Sequence, residues 1–179
     1  TTFEMGLRAA FPPAPELEPL WRRAAQRGLV MGRIAQMLGL DAWAAHSAGL
    51  FEECGKAVLF RHATEHYRSM LRAAADDVEL VGLERAGFGV SHDGLGAALC
   101  GSWGLVASAV ASVRFHVAVQ AGEPLEPTLP RPSVLALSAV AHTLMTAPES
   151  LETLVARVAP QVPLDQTLVL RSARKVQEQ

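Results

Sequence analysis

An all-α fold is what this sequence predicts, and three observations predict it. Apolar residues recur at three- and four-residue steps along most of the chain, no alternating stretch long enough for a strand interrupts them, and the breaks between periodic segments carry glycine and proline. Composition points the same way. Of 179 residues 50% are hydrophobic and 19% charged, with many alanines and 6% aromatics, a mixture suited to a compact bundle of short helices in close contact. A chain of this length closes one hydrophobic core, and no internal repeat or low-complexity tract divides it.

The first helix follows "FPPAP", which reads as a turn or extended entry. Leu17, Leu20, Trp21, Ala24, Gly28, Met31, Ile34, Ala35 and Leu38 form its apolar stripe, with Arg22, Arg23, Gln26, Arg27 and Arg33 mostly between them, and it ends at Gly39. Asp41 caps a second helix, "AWAAHSAGLFEEC", apolar on nearly every side and expected to stop near Gly55. A third covers Ala63 to Ala75, with Tyr67, Met70, Leu71 and Ala74 inward. "DDVELVGLERAGFG" is a short helix breaking at Gly87 and Gly89. Ser91 is placed to cap the next helix, with Asp93 in its first turn, and Gly104 separates that helix from the one through His116.

Residues 121–132, "AGEPLEPTLPRP", hold four prolines in twelve residues and predict an exposed connection. Helices over Ser133–Thr146, Glu149–Ala159 and Leu164 to about Val176 complete the chain. The expected organisation is a helical core over 1–120, the proline-rich connection over 121–132, and C-terminal helices over 133–179 packing on the core as one structural unit.

A formal net charge of -2 and a pI near 6.3 supply no basic footprint for nucleic acid or an anionic membrane. Cys54 and Cys100, each in an apolar helical pattern, read as reduced core thiols, which favours a cytoplasmic location. No charged leader with an apolar core opens the chain, and a start at Thr1 reads as a fragment or processed product. The uncharged run Gly94–Val113 has the length of a membrane span, but its Gly, Ala and Ser content and the "GSWG" break make it two short buried helices.

"AGLFEECGKAVL", then "ERAGFGVSHDGLGAALCGSWGL" and "VRFHV", resemble the HDOD domain, the output-domain branch of the HD phosphohydrolase superfamily. The resemblance reaches from about Trp21 to His142 and rests on Gly49, Leu50, Gly55, Lys56, Val58 and Leu59, then Glu84, Phe88, Gly89, His92, Gly96, Ala97, Leu99, Trp103 and His116. It implies an HD-like helical domain whose upstream family helices are missing or divergent here. In metal-dependent HD enzymes an adjacent His and Asp, an earlier His and a later Asp bind divalent metal, whose bound water attacks a phosphoester. By this resemblance Glu52 and Glu53 stand where the adjacent pair should be, Arg23 where the earlier histidine should be, and His142 where the later Asp should be.

A guanidinium repels a cation instead of ligating it. The expectation is therefore a vestigial metal site, in which Arg23 neutralises Glu52 or Glu53 and no metal or other cofactor is held. Adjacent residues of one helix point about 100° apart, so one acid is expected to pair with arginine and the other to be solvated. His92 and His116 fall where some metal-dependent relatives place ligands, and with Glu53 and His142 they form the constellation worth testing for metal. Ser91–Asp93 reads as helix-start chemistry, His46, His62 and His66 as structural or surface residues, Cys54 as inert, and Lys56 as a surface or pairing lysine. Trp21, Trp43 and Trp103 are expected as core or interface anchors, with Trp103 buried beside the His116 helix.

The expected function is a non-catalytic bacterial signal-transduction module acting through protein partners. The resemblance implies receiver or cyclic-dinucleotide modules as those partners; a homodimer is left open, and neither nucleic acid nor membrane is expected. The alternative is an HD-type phosphohydrolase or phosphodiesterase with unusual ligands, and a third class is a small-ligand sensor using the vestigial pocket.

Overall fold

The computed structural model describes residues 5–6, 9–11 and 13–178, so Pro12 of the "FPPAP" entry lies outside the described residues. Among them ten α-helices and no strand are present. In chain order they are α1 (Glu18–Met37), α2 (Ala42–Phe51), α3 (Cys54–His62), α4 (Thr64–Ala73), α5 (Asp77–Phe88), α6 (His92–Ser102), α7 (Ala107–Gln120), α8 (Ser133–Thr146), α9 (Leu151–Val158) and α10 (Gln166–Gln177). Short 3₁₀ turns at Pro15–Leu17, Pro148–Ser150 and Ala159–Gln161 begin α1 and flank α9.

The helix ends follow local chemistry. Asp41, Asp76 and Asp165 accept hydrogen bonds from the backbone N–H groups of Ala44, Glu79 and Leu168, capping α2, α5 and α10. Gly89 closes α5 in the left-handed region at φ 74°, while Gly87 continues the helix. The run Gly94–Val113 splits into α6 and α7 around Gly104, and no helix among the described residues is long and apolar enough to cross a membrane. In the proline-rich connection Leu125 is buried, and its N–H donates to Gln161 Oε1 at 2.8 Å, so this segment is anchored at its middle.

Two apolar clusters share the long helices. One gathers Met31, Ile34 and Ala35 of α1, Ala44, Ala45 and Ala48 of α2, and the inner faces of α8, α9 and α10. The other gathers Leu20, Trp21 and Ala24 of α1, Leu50 and Phe51 of α2, Cys54 and Phe60 of α3, Tyr67 of α4 and Val113 of α7. Arg27, between Ala24 and Met31, and Glu52 and Glu53, just past Phe51, fall where the two clusters meet.

Three expectations are corrected. The second helix stops at Phe51 and not near Gly55: Glu52 and Glu53 form a turn, and α3 begins at Cys54. Trp103 is 48% exposed and Trp43 59% exposed, because "GSWG" is a surface turn and Trp43 sits on the first, outward turn of α2. Leu71 also faces solvent, on the side of α4 away from Tyr67 and Met70. Trp21, Cys54 and Cys100 are buried, and both cysteines are free thiols.

Candidate functional site

Arg27 is reached by following the α1 stripe at its own spacing. Leu20, Ala24, Arg27, Met31 and Ile34 lie on one helical face, so the guanidinium is carried into the interior with its apolar neighbours. Gly49 of α2 makes this approach close enough: a Cβ there would meet the Arg27 backbone at 2.9 Å. The turn after α2 then aims both acids at one side chain. Arg27 Nε lies 2.7 Å from Glu52 Oε2, a close ion pair and not an aligned hydrogen bond, and Arg27 Nη1 donates to Glu53 Oε2 at 3.0 Å.

The remaining lone pairs of the acids are used as well. Ser138 of α8 donates its hydroxyl to Glu52, and Lys56 of α3 donates its ammonium to Glu53 Oε1. Lys56 Nζ also donates to Asp77 Oδ1 at 2.7 Å, tying the start of α5 to α3. Arg23 contributes from outside, 3.6 Å from Glu53 Oε2 with 47% of its side chain exposed. Glu52 and Glu53 are 1% and 3% exposed, so neither acid is solvated, contrary to the expectation that one would be. The principal partner is Arg27, not Arg23, because Arg27 projects into the helix contact and Arg23 toward its rim.

The electrostatics follow from burial opposed by pairing. Burial disfavours the charge on Glu53, yet Lys56, Arg27 and Arg23 together hold its carboxyl well below the usual range. Burial likewise opposes the charges on Lys56 and Arg27, and the neighbouring carboxylates outweigh it and raise both. Asp77 ends below its ordinary value because Lys56 offsets its desolvation. Cys54 is pushed well above the ordinary thiol value by Cys100 beside it and by burial, which leaves it a poor nucleophile.

A second polar group adjoins the first. Gly55 lets α3 and α6 cross at backbone contact, since a Cβ there would stand 2.1 Å from the His92 carbonyl oxygen. His92, fully buried, is gripped by Glu84 of α5: its backbone N–H donates to Oε2 at 2.7 Å, and its Nδ1 lies 2.8 and 2.9 Å from the two carboxylate oxygens. Tyr67 O–H donates to Glu84 Oε1 at 2.5 Å, and burial followed by that carboxylate raises its pKa. His116 of α7 places Nδ1 2.6 Å from the Val113 carbonyl oxygen. Both imidazoles therefore carry hydrogen on Nδ1, and their Nε2 atoms, buried and without a partner, are left as acceptors.

His92, His116 and Asp77 each place one potential ligand atom so that all three atoms lie within 4.8 Å of one another. The expected constellation of Glu53, His92, His116 and His142 is thereby corrected: Glu53 pairs with Arg27 and Lys56 outside the group, and the carboxylate grouped with the two histidines is Asp77, which Lys56 also contacts. His142 lies on α8 one turn beyond Ser138, is half-buried with a pKa lowered by burial, and is absent from the donor group. Ser91 stands at the start of α6, but its hydroxyl donates to the Asp93 carboxylate and does not cap the helix. His62 and His66 are exposed and His46 packs between Gly28 and Gly32 of α1. A cavity of about 400 Å³ lined by Gln26, Leu29, Val30, Arg33, Leu144 and Val176 contains none of these site residues.

The metal set of HD enzymes does not fit this chain. Where the His-Asp pair would hold an ion, the structure puts the Arg27 guanidinium between Glu52 and Glu53, and a fixed cation there excludes a second.

Sequence reading missed Arg27, Asp77 and Ser138. Only Arg27 had a signal, its place at the three- and four-residue spacing of the buried stripe. Asp77 and Ser138 are met across 21 and 86 residues of chain, by Lys56 and Glu52 respectively.

Comparison with known proteins is consistent with this architecture. The structure resembles a candidate phosphohydrolase from Shewanella amazonensis SB2B at a TM-score of 0.73 and 15% identity, covering 98% of this chain and 67% of that one. It resembles the MmoQ response regulator of Methylococcus capsulatus at a TM-score of 0.64 and 22% identity, over 86% of this chain and 60% of that one. An HDOD domain protein of unknown function from Geobacter sulfurreducens gives 0.66 and 17%, over 96% and 64%. At these identities the likeness is one of fold, and this chain spans about two thirds of the length of those proteins. A search of curated protein sequences gives no match. The family model of the HDOD domain matches residues 3–119, a span that runs from before α1 almost to the end of α7 and contains Arg27, the acidic turn, Glu84 and both buried histidines. The chain belongs to the HDOD domain family.

Proposed function

We propose that this HDOD domain is a non-catalytic bacterial regulatory module that works by binding other proteins. The observation that carries the reading is the Arg27 guanidinium, buried and paired with both Glu52 and Glu53 where an HD hydrolase would hold its metal. A guanidinium held between the two acids takes the place of the cation that metal-assisted phosphoester hydrolysis uses to activate its water, which supports this reading. Fold likeness to a response regulator agrees with a signalling context. Receiver or cyclic-dinucleotide modules are the partners this reading favours, in the cytoplasm.

The test is hydrolysis. Purified protein is assayed on generic phosphomonoester and phosphodiester substrates with Mg²⁺, Mn²⁺ or Ni²⁺ added. Turnover should equal the protein-free control. Hydrolysis above it that disappears in Glu52→Gln would overturn the reading in favour of an HD-type phosphohydrolase with unusual ligands.

A further inference from the structure

We propose that Asp77, His92 and His116 form a binding site for one divalent first-row transition metal, displaced from the position of the HD pair. Two independent observations converge on it. The three side chains bring one ligand atom each within 4.8 Å of the others. The Nε2 atoms of both histidines are buried and have no hydrogen-bond partner in the protein. A buried imidazole nitrogen without a partner has lost its hydration with nothing in exchange, and two such nitrogens on histidines grouped with a carboxylate make that loss hard to explain unless something binds there.

The supporting contacts are those of a metal site. Each histidine has its Nδ1 fixed by an acceptor, Glu84 for His92 and the Val113 carbonyl for His116, which orients the ring and presents a neutral Nε2 lone pair. Two imidazoles and one carboxylate suit Zn²⁺, Fe²⁺ or Co²⁺ better than Mg²⁺ or Ca²⁺, which prefer all-oxygen shells. Donor atoms around a four-coordinate ion with bonds of ~2.0–2.1 Å stand ~3.3 Å apart, so the three side chains close by about 1.5 Å at most when the ion enters. Lys56 donates to Asp77 Oδ1, so a cation held by this carboxylate would share it with the Lys56 ammonium. Asp77 is one-fifth exposed at the start of α5, so the site has an entry from solvent.

This inference does not depend on the absence of catalysis. Hydrolysis in the assay above would sink the regulatory reading and leave the metal site standing, and failure to bind metal would do the reverse.

The experiment uses the whole chain, stripped with chelator and then titrated with Co²⁺ and with Zn²⁺. One equivalent of Co²⁺ should produce visible d–d absorption that Zn²⁺ bleaches, and Zn²⁺ at a hundredfold excess over Kd should raise Tm by about 5–10 °C. Asp77→Asn and His116→Asn should each weaken binding at least tenfold. Glu84→Gln, which acts through His92, should weaken it by about 10–100-fold. If these variants fail to fold, nitrogen NMR of the labelled wild-type imidazoles decides: of the six histidines, two Nε2 resonances should move on adding Zn²⁺. Absence of stoichiometric Co²⁺ and Zn²⁺ binding, or binding that moves the exposed His62 and His66 instead, would overturn the proposal.

Discussion

Arg27 Nε lies 2.7 Å from Glu52 Oε2 where both side chains are more than nine-tenths buried, so the two charges meet away from water. Pairs of this kind add little net stability because desolvation offsets their attraction, but they cost much to break, because removing one partner strands the other in low dielectric. Arg27→Ala should destabilise by about 3–5 kcal/mol. Arg23→Ala, which removes a half-exposed and longer contact, should cost less than about 1 kcal/mol. Denaturant unfolding measures both, and the Arg27→Ala/Glu53→Gln double variant should show a coupling of about 1–3 kcal/mol. Equal losses at Arg23 and Arg27 would contradict the arrangement.

Stability should fall on acidification in two stages. His142 has a pKa below its ordinary 6.5, so the unfolded chain takes up a proton that the folded one refuses, and stability present above pH 6.5 is lost as pH falls through the folded value. Glu53, held well below 4.5, keeps its contribution above that pH and loses it on further acidification. Tm measured in chelator from pH 8 to pH 3.5 should show both stages, with His142→Asn diminishing the first, to which His116 also contributes because burial lowers its pKa in the same direction, and Glu53→Gln flattening the second.

Trp103 offers a check on the surface. Its ring lies 5.9 Å from that of Phe51 in a tilted contact but is 48% exposed. Trp103→Ala should cost about 1 kcal/mol, the scale of an aromatic pair without core burial. Trp21→Ala, at a position 6% exposed, should cost about 3–5 kcal/mol. Unfolding experiments that rank the two the other way would place Trp103 in the core.

The crossing of α3 and α6 is tested by a methyl group. Gly55→Ala would put a Cβ against the His92 carbonyl, a backbone atom that cannot rotate away, and should destabilise by about 3 kcal/mol. Gly82→Ala, on the exposed face of α5 with nothing within 4 Å, should instead stabilise by about 0.5–1 kcal/mol through helix propensity. Thermal denaturation should move the two variants in opposite directions.

Most of the helices were legible in the chain itself, because their signals are local. The apolar period of α1, the aspartate cap of α2, the glycine after α5 and the break at Gly104 each act within a few residues of where they are written. The acidic turn was harder to read: "LFEECGKAVL" has no proline or internal glycine before Gly55, so periodicity carries the helix past Phe51, while the burial of both carboxylates on Arg27 requires it to break there. The exposure of Trp43 and Trp103 was equally hidden, since an apolar residue in a helical pattern does not state which face the rest of the fold covers.

Local signals along the chain suffice for the all-helical architecture, and the order of Gly49, Gly55, Glu84, His92, Gly96 and His116 carries the family resemblance. The pairing of the buried charges is set by packing. Arg27 meets acids 25 and 26 residues away, Lys56 meets Asp77 across 21 residues, and Glu52 meets Ser138 across 86. No local preference encodes those distances. They arise because two apolar clusters pack on the same long helices and leave one polar seam between them, and every charge drawn into that seam must find its counterpart there or remain in water.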